Sequence, residues 1–142
     1  LTPYERTVNK EKLDTLEENI IHNENGTIAA VITSKADGQS GSYTIPNGVT
    51  KGVVLGYGVD IVVNSNFEGL IITDGKITVK GSAAVTTGTN NRAELTLDVY
   101  KDVAEYFNAF QETSDTNKLD EVEMNQLLNF SEWRKNENVD YN

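Results

Sequence analysis

Carboxylates are the most abundant groups in this chain that could do chemistry, and Asp60, Glu68 and Asp74 fall within a stretch of regular apolar spacing. Two carboxyl groups facing each other about 5 to 10 Å apart are the machinery of glycoside hydrolysis, one serving as acid and the other as base or nucleophile. Asp60 lies between Val59 and Ile61, so on an alternating strand it points away from them; Glu68 and Asp74 directly precede Gly69 and Gly75 at corners. Nothing in this spacing brings the three together. Asp115-Thr116-Asn117-Lys118-Leu119-Asp120 opens like a calcium loop, with oxygen donors at alternate positions. Its sixth position is Asp120 rather than glycine and its twelfth is Gln126 rather than glutamate. It therefore reads as a solvated loop with a helix cap at Asp115 or Thr116.

His22 is the only histidine, and no serine stands in a motif that would make it a general base. At a helix end it reads as a partner of the C-terminal dipole. Cysteine is absent, which excludes thiol catalysis, cysteine-based zinc sites and disulfides. Gly56-Tyr57-Gly58 lacks the third glycine of a dinucleotide loop and reads as a corner. Asn25-Gly26-Thr27 and Asn129-Phe130-Ser131 match the glycosylation acceptor pattern, which matters only in a eukaryotic secretory setting. No metal or cofactor is expected. Tyr57, Phe67 and Trp133 are the candidate ligand or partner contacts, because flat aromatic faces pack on sugar rings when exposed. The competing role for large aromatics in a small domain is core or cap packing.

The balance of charge narrows the partners. Twelve Lys and Arg against 22 Asp and Glu leave a net charge of −10 over 142 residues, which repels phosphate backbones and anionic lipid. Lys76, Lys80 and Arg92 are isolated, so no nucleic-acid partner is expected. The sequence contains no apolar run of bilayer length and no secretion signal, and it opens at Leu1. Membrane attachment is expected only through a segment upstream of Leu1.

The elements that must position these residues show a double period. Apolar residues recur at an offset of eighteen: Val53 with Ile71, Val54 with Ile72, Val59 with Ile77, and the columns Tyr43, Ile61, Val79, Leu97 and Val49, Phe67, Val85. Gly52, Gly58, Asn64, Gly69, Gly75 and Gly81 mark a finer step of five or six. Three six-residue units per rung predict a short single-stranded parallel β-helix of about two to three rungs, with Ile61 directly beneath Val79. Thr2-Pro3-Tyr4-Glu5 carries a capping-box pattern, which predicts an N-terminal helix over 1–26 that stops at 23–26. Residues 27–33 read as a buried strand within a core at 27–91. Residues 92–142 read as C-terminal helices and a tail, with Leu95, Val99, Val103, Tyr106 and Phe110 on one helical face. The expected fold is thus one mainly β domain whose open ends are capped by helices.

Asn66-Phe67-Glu68-Gly69-Leu70-Ile71-Ile72, followed by Asp74-Gly75-Lys76-Ile77-Thr78-Val79, resembles the β-helical segment of clostridial-type surface proteins of anaerobic Gram-positive bacteria. Tyr106-Phe107 and Ser131-Glu132-Trp133-Arg134-Lys135 are similar to short motifs downstream in those proteins. The resemblance implies a type IV pilus-associated protein with a pilin-like membrane segment upstream. The β-helical stretch also resembles bactofilins, which polymerise end to end, although the helices expected at both ends depart from that pattern. The resulting expectation is a non-catalytic, extracellular structural or adhesive protein of the cell surface, partnered by other surface or pilus proteins. A carbohydrate-binding module that takes glycan is the alternative, and a glycan-active enzyme ranks below it.

Overall fold

A computed structural model of the chain describes residues 2–86, 102–108 and 139–141. Two short helices, α1 (Pro3–Thr7) and α2 (Lys10–Thr15), precede the strands β1 (Ile20–Glu24), β2 (Thr27–Thr33), β3 (Ser42–Thr44), β4 (Lys51–Tyr57), β5 (Asp60–Val63), β6 (Phe67–Thr73), β7 (Ile77–Val79), β8 (Val85–Thr86) and β9 (Val139–Tyr141). They build a five-stranded sheet in the order β1-β2-β4-β6-β8 and a four-stranded sheet in the order β3-β5-β7-β9. β1 pairs antiparallel with β2, which makes the first sheet mixed. The second sheet is parallel throughout. From β2 to β8 the chain alternates between the two sheets.

This overturns the expected β-helix of eighteen-residue rungs with helical caps. Each winding carries one strand in each of two sheets instead of three sides, and the register is uneven. Tyr43 does pair with Ile61 and Phe67 with Val85, as an offset of eighteen requires. But Val53 pairs with Leu70 and Val54 with Ile71, one residue short of it. Ile61 pairs with Ile77, and Val79 with Val63, so the Ile61–Val79 column does not exist.

The helices are also shorter and differently placed than expected. α1 is capped by Thr2, whose hydroxyl accepts from the Glu5 N–H at 3.1 Å while the Glu5 carboxylate takes the Thr2 N–H. It ends at Val8, whose extended backbone cannot continue a helix; Asn9 then caps α2 by accepting from the Lys12 N–H. Ile20 and His22 belong to β1, not to a helix. Asn25 and Gly26 have φ of 54° and 78°, the left-handed pair that a tight hairpin demands, so the expected helix stop is the β1–β2 turn. The expected C-terminal helix is interrupted: 102–104 are helical, 105–106 form a turn and Phe107 bridges Val8, so Tyr106 does not sit on a continuous helix; the remaining expected helical residues lie outside the described ones.

Two apolar layers follow from this arrangement. Ile28, Ala30, Ile32, Val54 and Ile71 from the first sheet meet Ile61, Val63, Ile77 and Val79 from the second. On the opposite face of the first sheet, Ala29, Val31, Val53, Leu55, Leu70 and Ile72 are covered by Tyr4, Val8, Leu13, Val103, Ala104, Tyr106 and Phe107. The helical segments therefore lie on a sheet face, where they bury apolar surface, and β1 is the element that covers the edge of β2. Because β2, β4 and β6 are covered on both faces, their middles are continuous apolar runs. Gly52 and Gly69 stack in register above Ile28, at φ of +139° and +147°. A Cβ on Gly52 would sit 1.8 Å from the Ile28 carbonyl oxygen, and one on Gly69 would sit 2.0 Å from that of Gly52.

Candidate functional site

The corners between windings are held by short polar side chains. Asp60 Oδ1 accepts from the Lys76 N–H at 2.8 Å, and Asp74 Oδ1 accepts from the Gly58 N–H at 2.7 Å. Asn66 Oδ1 accepts from the Ala84 N–H at 3.0 Å. At the end of β2, Asn19 Oδ1 accepts from the Thr33 N–H at 2.8 Å; its own amide donates to Gln39, which in turn donates to the Ser42 carbonyl. The backbone leaves its ladder at each corner, so an N–H there needs a substitute acceptor, and a short carboxylate or amide supplies one from the neighbouring winding. The buried Thr73 works in the same way: its hydroxyl donates to the Val59 carbonyl at 2.5 Å and accepts from the Gly75 N–H at 3.1 Å.

Asp60 and Asp74, two of the three carboxylates with hydrolytic potential, thus each have an oxygen committed to the backbone. Glu68 lies half-buried on β6, and its own N–H donates to the Thr50 carbonyl at 2.8 Å. Among the described residues no group of three or more His, Asp or Glu is placed to hold a metal ion. The calcium-like stretch at 115–120 lies outside them. His22 Nε2 meets Asp102 Oδ2 at 2.7 Å with both side chains well exposed, an ion pair when the imidazole is protonated. No helix among the described residues is long and apolar enough to cross a membrane.

The three aromatic candidates do not form a platform together. Phe67 is 1 % exposed in the layer between the sheets, and Trp133 lies outside the described residues. Tyr57 is half-buried at the end of β4, packed against the apolar layer that includes Leu13. Its hydroxyl donates to the Asp14 carboxylate. That bond, partial burial and the negative charges of Asp14 and Asp74 push the Tyr57 phenol up to about 12. A hollow of about 300 Å³ opens beside it, lined by Thr2, Tyr4, Glu5, Lys10, Tyr57 and Asp74. Tyr4 is fixed there by its hydroxyl, which donates to the Gly56 carbonyl at 2.7 Å. The hydrogen bonds to Thr2 hold the Glu5 carboxyl below the usual range for glutamate.

The other residues of this hollow were not legible as a site. Thr2 and Glu5 read as a capping box and Lys10 carried no reading of its own, and only tertiary packing of α1 on the end of β4 joins them to Tyr57 and Asp74. A larger hollow of about 670 Å³ is lined by Glu17, Glu18, Asn19, Lys35, Ala36 and Asp37. It is polar, and its Lys35 ammonium donates to the Asp14 carbonyl at 2.7 Å. Comparison with family models, with curated proteins and with solved structures returns no match.

Proposed function

We propose that this chain is a non-catalytic structural or adhesive module of a bacterial cell surface, pilus-associated and joined to the membrane through a segment upstream of Leu1. The observation that carries this reading is the use of Asp60, Asp74, Asn66 and Asn19 as acceptors for corner N–H groups. Asp60 and Asp74, the two of these that could have supplied acid–base chemistry, hold the windings in register instead. The result is a scaffold of two packed sheets with a satisfied polar rim, suited to presenting a surface. The resemblance of 66–79 to Gram-positive surface proteins supports the location. Fractionation of the source bacterium with an antibody against this chain, alongside adhesion of the purified protein to cells, tests the reading. Recovery in the wall or pilus fraction with measurable adhesion supports it; recovery in the cytosol overturns it.

A carbohydrate-binding module is the second reading, favoured by the hollow at Tyr57. There an aromatic ring, two carboxylates and an ammonium line one small space.

A further inference from the structure

We propose that the hollow between α1, the start of α2 and the end of β4 binds a hexosamine, a pyranose ring that carries a protonated amine, either free or as the end of a glycan. The proposal rests on the adhesive reading above and names the ligand class that adhesion would use. About 300 Å³ is at the small end of ligand sites and fits one sugar ring. The wall combines what such a ring needs. Tyr57 supplies aromatic carbon for the C–H face, Asp74 and Glu5 supply acceptors, and the Lys10 ammonium, close enough to Glu5 for the two charges to interact, supplies a donor.

Charge selects among sugars. Glu5 and Asp74 line the hollow against a single ammonium, and the Asp14 carboxylate that holds the Tyr57 hydroxyl adds a negative charge behind that wall. The Tyr57 phenol is raised first by its hydrogen bond to Asp14 and by partial burial, and the charges of Asp14 and Asp74 add to this in the same direction. A cationic amine is attracted by that field, whereas a uronic acid or a phosphate is repelled. The Lys10 ammonium works against a bare lysine side chain, which has no hydroxyl to accept its hydrogen bond. Preorganisation adds to the fit: Asp74 is fixed by the Gly58 N–H, Tyr57 by Asp14 and Glu5 by Thr2, so little side-chain freedom is lost on binding.

The test is an NMR titration of the isotope-labelled chain with methyl glucosaminide, methyl glucoside, methyl glucuronide and an Nα-acetyl-lysine amide. Methyl glucosaminide is expected to shift the amides of Glu5, Lys10, Gly58 and Asp74 with a dissociation constant of about a millimolar. The other three probes are expected to bind at least about tenfold more weakly. Asp74→Asn retains an oxygen for the Gly58 N–H and removes the charge, so it should keep the native spectrum and lose about tenfold in glucosaminide affinity. Absent shifts at those four amides, an unchanged Asp74→Asn variant, or an equal response to the lysine amide would each overturn the assignment. Adhesion that persists in a protein unable to bind glucosaminide sinks this site and spares the surface role. Glucosaminide binding without any adhesion does the reverse.

Discussion

Gly69→Ala should be among the most damaging single-methyl changes in this molecule, and the reason is a carbonyl beneath it. The new Cβ would stand 2.0 Å from the Gly52 oxygen and 3.0 Å from the Gly52 carbonyl carbon and nitrogen, all backbone atoms that have no rotamer to escape into. Ordinary contact begins at 3.4 Å, so β4 and β6 would have to part by more than an ångström at this rank. A separation of that size takes one or two ladder hydrogen bonds beyond bonding distance, at about 1 kcal/mol each. Holding alanine at a φ of +147°, a region essentially reserved to glycine, adds about 1 to 3 kcal/mol. The expected loss is therefore about 2 to 5 kcal/mol, or roughly 6 °C or more in Tm for a domain of this size. Denaturant unfolding followed by circular dichroism measures it, with an unchanged slope showing that the same surface is exposed.

Gly38→Ala is the control that isolates the cause. Gly38 also has positive φ, +76°, but nothing lies within 4 Å of where its Cβ would go. That variant should lose only about 1 to 2 kcal/mol, the conformational part alone. If Gly69→Ala costs no more than Gly38→Ala, the stacked-glycine geometry is wrong.

Three other outcomes follow from the packing and the polar rim. Asp60→Ala should cost about 1 to 2 kcal/mol, because the Lys76 N–H loses its acceptor, while Asp60→Asn should be nearly neutral in thermal unfolding; equal losses would remove the corner role. Leu13→Ala should cost about 2 to 5 kcal/mol, since Leu13 is fully buried between α2 and the first sheet; denaturation midpoints of the two proteins decide it. The folded Tyr57 phenol sits above its ordinary value of 10.0, so its contribution to stability is complete below about pH 10 and disappears as pH rises through about 12. Tyr57→Phe should accordingly lack that segment of the stability-versus-pH curve, and an ultraviolet phenolate titration should find one tyrosine fewer in the late phase.

β2 was legible as a strand because an apolar run bounded by turn formers announces itself, whereas β1 was read as the end of a helix and 139–141 as tail; the register was not legible either, and the reason differs between the two sheets. β4 and β6 are buried on both faces, so Val53-Val54 and Ile71-Ile72 carry no alternation, and a slip of one residue leaves an apolar pattern equally satisfied. The sequence offset of eighteen hid a true offset of 17 there, as in Val54 with Ile71. β5 and β7 do alternate, and alternation fixes the face while leaving a slip of two invisible: Ile61 and Val63 both point inward, as do Ile77 and Val79. The pairing of Ile61 with Ile77 is settled by the corner, where Asp60 takes the Lys76 N–H while Asp74 takes that of Gly58. Those aspartates were the residues singled out for possible catalysis. A carboxylate beside a glycine corner looks the same in sequence whether it faces a substrate or an amide of the next winding, and only the third dimension tells the two apart. The same limit applies to Tyr57. Its type and corner position marked it as a contact residue, but the group that gives it chemistry, Asp14 from α2, reaches it only because α2 lies back across the sheet on Leu13. Burial of that leucine is thus the step that assembles the hollow, and weakening it should loosen the site along with the fold.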